Sequence, residues 1–204
     1  FGINNEDIFS IYEKVHKLQY MNPVGLGVHI GSQIFDFNFF HKAYSNLKTV
    51  ADKLKNNGFK VPTLDLGGGI GIYYDENKNP DFETYKKVIS DLFLGSEYKL
   101  SFEPGRILIA EAGVLVTKVI RNKKNKDKNF IIIDAAMNNL IRPTLYDAYH
   151  RIEPVKKISG KKIIADIVGP ICETGDFIAL NRKITEVNNN DLLIIRTTGA
   201  YSSV

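Results

Sequence analysis

Cysteine is almost missing from this chain: its 204 residues contain one, Cys172. A lone thiol excludes an intrachain disulfide framework and a multi-cysteine zinc site, and leaves either a small buried hydrophobe or a working thiol. No apolar run approaches the roughly 20 residues that a membrane-spanning helix needs, and no basic segment followed by an apolar one resembles a secretory leader. The expectation is a cytoplasmic protein with no membrane partner and no metal centre. An initiating methionine is also lacking, since the chain opens at Phe1, which reads as a processed or truncated piece. Low-complexity linkers are absent as well, and so is any internal repeat beyond the spacing of the helix and strand patterns.

What is present suffices for a real core. Hydrophobic residues make up 44% of the chain and charged residues 25%, a balance that fits one large or two modest domains. The net charge of +4 is concentrated in residues 121–128, Arg-Asn-Lys-Lys-Asn-Lys-Asp-Lys. That run lies between two β-rich segments and has no interleaved aromatics. It reads as a solvated hairpin tip, and nucleic acid is not expected as a partner.

Three helix patterns alternate with three short apolar runs. Asn4 or Asn5 can cap a helix reaching about Gln19, with Ile8, Ile11, Val15 and Leu18 on one face. Residues 40–56 place Leu47, Val50, Ala51 and Leu54 together and stop at Gly58; residues 82–93 use Tyr85, Val88, Ile89 and Leu92. Strands are expected at 24–30, 63–66 and 99–102, the last ending with Leu100 and Phe102 buried. The strand ends recur at intervals of about forty residues, which is the signature of βα units on a parallel sheet. Three units cannot close a barrel. The expected fold is α/β: residues 1–109 as the latter part of a (β/α)8 barrel, then a mostly antiparallel β domain over 110–204. That second domain shows strand-like runs at 114–120, 130–134, 162–168, 176–179 and 192–197, with a helical turn expected at 147–151.

The strand ends carry unusual residues. His29-Ile-Gly-Ser32, Gly67-Gly68-Gly69 and Glu103-Pro104-Gly105-Arg106 would share one rim, because parallel strands present their carboxyl ends on the same face. Three glycines after a strand let a backbone approach a ligand, and their free N–H groups can form a nest for phosphate, with Ser32 as a flanking hydroxyl. A tight turn under a packed helix is an equally good reading of the glycines alone. A phosphorylated aromatic cofactor would need a flat partner, which His29 supplies, and an acid at its ring nitrogen, which Glu103 supplies. Taken alone, His29 reads as a half-buried histidine with satisfied hydrogen bonds. In the second domain, Arg142 and Tyr146 stand four apart and can grip one carboxylate from two sides. Cys172 and Glu173 sit between Pro170 and Gly175; an exposed thiol there could donate a proton, a buried one would be structural. Tyr201 follows a buried strand, where an edge aromatic filling the core is the plain alternative.

The series His29-Ile-Gly-Ser-Gln33, Asp65-Leu-Gly-Gly-Gly-Ile-Gly-Ile72, Glu103-Pro-Gly-Arg106, Arg142-Pro-Thr-Leu-Tyr146, Gly169-Pro-Ile-Cys-Glu-Thr-Gly-Asp176 and Gly199-Ala-Tyr201 resembles the diaminopimelate decarboxylases. These are pyridoxal 5'-phosphate enzymes of the alanine racemase and ornithine decarboxylase fold group. The order and spacing of six motifs are more specific than any one motif. The resemblance implies that His29 stacks on the cofactor ring and that Ser32, Gly67, Gly68 and Gly69 hold its phosphate. It implies that Glu103, followed by Pro104 and Gly105, pairs with the ring nitrogen, and that Arg106 and Tyr201 reach cofactor and substrate. Arg106, Arg142 and Tyr146 would take substrate carboxylate, Glu173 the distal ammonium, and Cys172 would protonate the carbon that loses carbon dioxide. Cys172 and Glu173 come from the partner subunit in this family, so a homodimer with a shared active site is expected, with a small amino acid as substrate and L-lysine as product.

One departure stands beside the match. The family's Schiff-base lysine, in a Tyr-Ala-x-Lys-Ala setting, has no counterpart among these residues, and the expectation is that the 204-residue chain alone is inactive while its full-length parent decarboxylates. Two alternatives remain open at this stage. One is a decarboxylase of the same fold acting on ornithine, arginine or carboxynorspermidine; the other is a non-catalytic homologue that binds the cofactor.

Overall fold

Two aspartates decide where the long helices begin. Asp36 accepts the amide of Asn38 at 2.9 Å and opens helix α2, Phe37–Asn56. Asp81 accepts the amide of Thr84 at 3.0 Å and opens helix α3, Phe82–Phe93. Each side chain satisfies an amide that the first helical turn leaves without a partner. In the computed structural model, which describes residues 2–75, 79–156 and 159–202, the chain divides into two compact units. Among these residues the first unit takes 2–72 and 79–105, and the second takes 73–75 and 106–202. The division falls between Gly105 and Arg106, ahead of the 109/110 boundary read from sequence texture.

The first unit contains helix α1 (Ile8–His16), strand β1 (Gly25–Gly27), α2, β2 (Thr63–Asp65), α3 and β3 (Lys99–Ser101). The three strands form a parallel sheet in the order β1-β2-β3, with Gly25, Thr63 and Lys99 in one register row and Gly27, Asp65 and Ser101 in another. On α2, Phe40, Tyr44, Leu47, Ala51 and Leu54 recur at spacings of three and four and are all buried. Phe40 and Tyr44 meet Tyr85 of α3 with ring centroids at 5.5 and 6.5 Å, and the Tyr44 and Tyr85 hydroxyls bond at 3.0 Å. Burying one such ring stabilises by about 1.5–3 kcal/mol, and truncating Phe40 to Ala would cost about 3–5 kcal/mol.

Three expectations change in this unit. Helix α1 is shorter than the 4–19 reading: Asn4 bonds to Asp7 instead of capping, and after His16 the bonds from Lys17 to Lys14 and from Leu18 to Val15 tighten the chain into turns. Helix α2 starts earlier than residue 40, because the Asp36 cap claims the preceding turn. Phe102 is 43% exposed and lies beyond β3. Its burial was expected from its apolar character as the last residue of the strand, but the strand ends at Ser101, one residue short of it.

The second unit begins with a short helix α4 (Arg106–Ile109) and a single 3-10 turn (Ala110–Ala112). Strands β4 (Leu115–Lys124) and β5 (Asn129–Ile133) follow, then helix α5 (Arg142–Tyr146), β6 (Ile152–Pro154), β7 (Lys162–Val168), β8 (Phe177–Thr185) and β9 (Leu192–Ile195). They form a six-stranded sheet in the order β6-β9-β4-β5-β7-β8, antiparallel at every junction except β5 with β7. The end strands β6 and β8 approach one another, so the sheet is nearly closed. Its interior is filled by Val119, Ile131, Ile133, Ile167, Ile178, Leu193 and Ile195, branched side chains that suit a pleated, buried surface.

Here the helical turn expected at 147–151 is found at Arg142–Tyr146 instead. Pro143 is preorganised for a first helical turn, and Asp147, at φ 49°, ends the helix in the left-handed region. The basic run at 121–128 is only partly a hairpin tip: residues up to Lys124 continue β4, and the turn is closed by the Asn125 amide on the Lys128 carbonyl at 2.9 Å.

Candidate active site

In the first unit the parallel register brings His29, the three glycines and Glu103 to one end of the sheet. The ladder continues past the strands: Val28 donates to Asp65 O at 3.0 Å, Leu66 to Ser101 O at 2.9 Å and Glu103 to Gly67 O at 2.8 Å. The loop after β1 is fixed to the glycine loop by Gln33, whose side-chain amide donates to Ile72 O at 3.1 Å and accepts from Ile72 N at 2.9 Å. Gly67 and Gly68 are buried, whereas His29, Ser32, Glu103, Pro104 and Gly105 are exposed. His29 is thus not half-buried as the simplest sequence reading had it.

The glycines answer to two demands. A Cβ on Gly67, Gly68 or Gly69 would overlap the carbonyl oxygen of Val28, Glu103 or Gly31 respectively. Gly67 and Gly69 also have φ of 67° and 98°, values that side chains rarely adopt. Neighbouring strand ends therefore demand glycine here, in addition to any ligand. The nest is narrower than expected, because the Gly67 amide already donates to Asp65 Oδ1 at 2.8 Å. The Gly68 amide has only a long contact to His29 Nδ1 at 3.5 Å, and the Gly69 amide has no acceptor among the described residues. Two amides at a strand end, one weakly bonded and one unbonded, fit a phosphate.

In the second unit the site is built on arginine and aromatic rings. Arg106 donates from Nη1 to the Tyr74 hydroxyl at 2.6 Å, and its guanidinium lies 4.7 Å from the Tyr201 ring centroid. Arg142 stacks on the other resource of Tyr74, its ring, at 4.7 Å. Arg142 is 7% exposed, and its one side-chain hydrogen bond among the described residues joins Nη1 to His150 Nε2 at 3.0 Å. No carboxylate pairs with it there. Burial lowers the Arg142 pKa from its ordinary value; Tyr74 opposes that, and the Arg106 charge adds to it. Tyr146, by contrast, is 72% exposed, at the far end of α5.

His150 is 0% exposed. Its Nδ1 lies 3.0 Å from Arg196 O, and since a carbonyl only accepts, Nδ1 carries the hydrogen. Arginine only donates, so Nε2 presents its lone pair to Arg142. Burial, joined by the charges of Arg142, Arg182 and Arg106, holds the imidazole pKa down at about 4 against the smaller opposing effect of the Arg196 carbonyl; the ring is neutral at pH 7. The chain then leaves β9 through Thr197 at φ 60°, a rare conformation for a β-branched residue, on the way to Tyr201.

Cys172 is exposed, which disposes of the buried-thiol alternative. The turn that carries it is nevertheless held from beneath: buried Asp176 accepts the amides of Met137 and Ile171, each at 2.7 Å, and Thr144 of α5 donates to Gly175 O at 2.6 Å. Glu173 is exposed on the same turn, with Oε1 accepting the Gly175 amide at 3.2 Å. Sequence reasoning missed Tyr74 and His150. Tyr74 follows the glycine loop in a tandem Tyr73-Tyr74, and His150 is one of only four histidines; each had a faint signal and no motif.

A parallel βα set ending in an amide cradle, and a mixed, nearly closed sheet accompanied by a helix that carries a buried arginine with no carboxylate partner among the described residues, define a class. The chain belongs to the pyridoxal-dependent decarboxylases, whose C-terminal sheet domain model matches residues 9–199. Its curated relatives include the diaminopimelate decarboxylases of Zymomonas mobilis, 47% identical over 100% of this chain and 48% of that protein, and of Aquifex aeolicus, 43% identical over 98% of this chain and 48% of that protein. A crystal structure of diaminopimelate decarboxylase from Helicobacter pylori complexed with L-lysine superposes with a TM-score of 0.93 at 32% identity, covering 100% of this chain and 50% of that one. The chain spans about half the length of the curated relatives it matches. Among the described residues no helix is long and apolar enough to cross a membrane.

Proposed function

We propose that the protein to which this chain belongs decarboxylates meso-2,6-diaminopimelate to L-lysine with pyridoxal 5'-phosphate, as a cytoplasmic homodimer whose first unit completes a (β/α)8 barrel. The observation that carries the substrate assignment is Arg142: a buried guanidinium with a neutral histidine and a tyrosine ring as neighbours and no carboxylate partner among the described residues. Such a cation is costly unless an anion joins it. A decarboxylase of ornithine or arginine handles one carboxylate, the one that leaves. Diaminopimelate brings a second, and Arg142 is the residue for it.

The remaining roles follow from what each group can hold or move. The Gly68 and Gly69 amides, with Ser32, hold the cofactor phosphate; His29 lies against the ring, and Glu103 with the Pro104-Gly105 turn keeps the ring nitrogen protonated. When bound, pyridoxal phosphate accepts the electron pair left by the broken carbon–carboxylate bond. Arg106, Tyr146 and Tyr201 orient the substrate, and Glu173 takes its distal ammonium. The Cys172 thiol gives its proton to the carbon that has lost carbon dioxide. Its placement on an exposed turn held by buried Asp176 supports its delivery to a partner subunit, the second half of the homodimer reading.

The test is turnover by the full-length protein loaded with cofactor. Release of carbon dioxide and L-lysine from meso-diaminopimelate, in equal amounts, is expected. Turnover of ornithine or arginine with no activity on diaminopimelate would transfer the assignment to another decarboxylase of this fold.

A further inference from the structure

Arg142 has to be aimed, and among the described residues no carboxylate does the aiming. The one side-chain acceptor it meets among the described residues is a fully buried imidazole. That imidazole is itself fixed on every side. Its ring N–H is spent on Arg196 O at 3.0 Å, one residue past the end of β9. Its edge meets the Tyr74 ring at 5.0 Å and 74°, the same ring on which Arg142 stacks. Its own carbonyl accepts Arg182 Nη1 of β8 at 2.6 Å, and Arg182 in turn lies 4.0 Å over the Tyr149 ring. Contacts from β8, from the residue after β9 and from Tyr74 thus converge on one histidine whose free lone pair points at one guanidinium nitrogen.

The choice of a neutral acceptor matters. A carboxylate in the same place would aim the guanidinium equally well but would neutralise it, and the attraction for a substrate anion would fall. A neutral imidazole fixes one nitrogen and leaves the whole positive charge, with the other N–H donors, for the ligand. Its second hydrogen bond fixes the tautomer, as a carbonyl behind a ligating histidine does at metal sites.

We propose that His150 is the positioning residue for Arg142, a neutral bracket between the Arg196 carbonyl and the guanidinium that sets where the substrate's distal carboxylate binds. The proposal rests on the reading of Arg142 given above. Two substitutions divide the bracket. His150→Asn keeps an amide N–H near the place of Nδ1 for Arg196 O but is too short to meet Arg142. His150→Gln carries an amide oxygen to the place of Nε2 and restores the acceptor for Arg142.

The experiment uses the full-length protein with cofactor and compares binding of L-lysine, which retains the distal carboxylate, with binding of cadaverine, the same carbon chain without it. For His150→Asn, L-lysine should weaken by about tenfold or more while cadaverine changes by less than about twofold, and the KM for meso-diaminopimelate should rise more than kcat falls. His150→Gln should recover most of the L-lysine affinity. Equal weakening of both ligands, or no recovery in His150→Gln, overturns the proposal. If His150→Asn does not fold, His150→Gln decides alone: retained preference for L-lysine supports the bracket and its loss overturns it. A wild-type protein that binds the two ligands equally and does not turn over diaminopimelate removes the underlying reading of Arg142, an outcome distinct from both.

Discussion

The amide of Ile171 donates to Asp176 Oδ2 at 2.7 Å, across the turn that exposes Cys172 and Glu173. The other oxygen of the same carboxylate accepts the Met137 amide at 2.7 Å, and Asp176 is 4% exposed. A Cβ on Gly169 would run into that carboxylate, so the turn closes over a buried acid with no room to spare. Asp176→Asn would set an NH2 group against one of the two backbone donors, and losing one buried hydrogen bond while stranding its donor costs about 2 kcal/mol. Denaturant unfolding of the chain should show that loss, and thiol-reagent labelling of Cys172 should change rate because its turn is no longer held. Unchanged stability and labelling would mean that the turn is fixed by other contacts.

Gly68 gives a cleaner test of close approach than its neighbours, because its φ is not in the left-handed region whereas those of Gly67 and Gly69 are. A destabilisation by Gly68→Ala would come from its Cβ meeting the Glu103 carbonyl, because the loss of chain entropy in the unfolded state acts in the opposite direction. Overpacking of this kind costs about 1–3 kcal/mol. The same displacement would move the amide proposed for phosphate, so cofactor affinity in the full-length protein should fall together with the melting temperature. A stable Gly68→Ala protein with normal cofactor affinity would show that the loop has slack.

The α/β organisation was legible because hydrophobic periodicity reports which faces are buried. Leu47, Ala51 and Leu54 declared α2, and Val88 declared α3, before any contact was known. Strand β6, with three residues, and helix α4, with four, are too short for any period to show and, unlike the equally short β1, β2 and β3, follow no amphipathic helix pattern that would place them. The cradle glycines were visible, but the reason for them was only half visible: the carbonyls they avoid, those of Val28, Gly31 and Glu103, belong to the loops that follow other strands. His150 and Tyr74 gave no more than a faint signal as site residues for the same reason. What makes each matter is a guanidinium brought to it by the fold, and a single sequence does not display that neighbour.

His150 should also leave a mark on the pH dependence of stability. Its pKa in the folded chain is lowered from 6.5 to about 4, while in the unfolded chain it takes its proton near the ordinary value. Stability from the neutral buried ring is therefore complete above about pH 6.5 and is lost as pH falls toward 4; for a shift of this size the loss is of order 3 kcal/mol. The charges that act on the ring belong to arginines, and arginine keeps its proton across this range, so the window belongs to His150. His150→Gln should be less sensitive than wild type between pH 6.5 and 4 when unfolding free energies are compared. Parallel curves would show that the imidazole accepts a proton without leaving its site.

Arg142 presents the opposite bargain between folding and function. Its guanidinium is taken out of water, near a second cation, Arg106, with a stacked ring and one neutral acceptor in return. Replacing an uncompensated buried charge by an apolar chain of similar length is often neutral or stabilising, although Arg142→Met would leave the His150 lone pair without a donor, at about 1–2 kcal/mol. The two effects oppose each other, and the larger is the desolvated charge. Arg142→Met should therefore unfold at an equal or higher denaturant concentration than wild type, with a gain of up to about 2 kcal/mol. In the full-length protein the same substitution should raise the KM for meso-diaminopimelate by about a hundredfold, the scale of a lost charge-assisted bidentate contact. Stability and activity lost together would identify Arg142 as a structural cation. Stability kept and activity lost would identify a residue maintained, against the interest of the fold, for a ligand carboxylate.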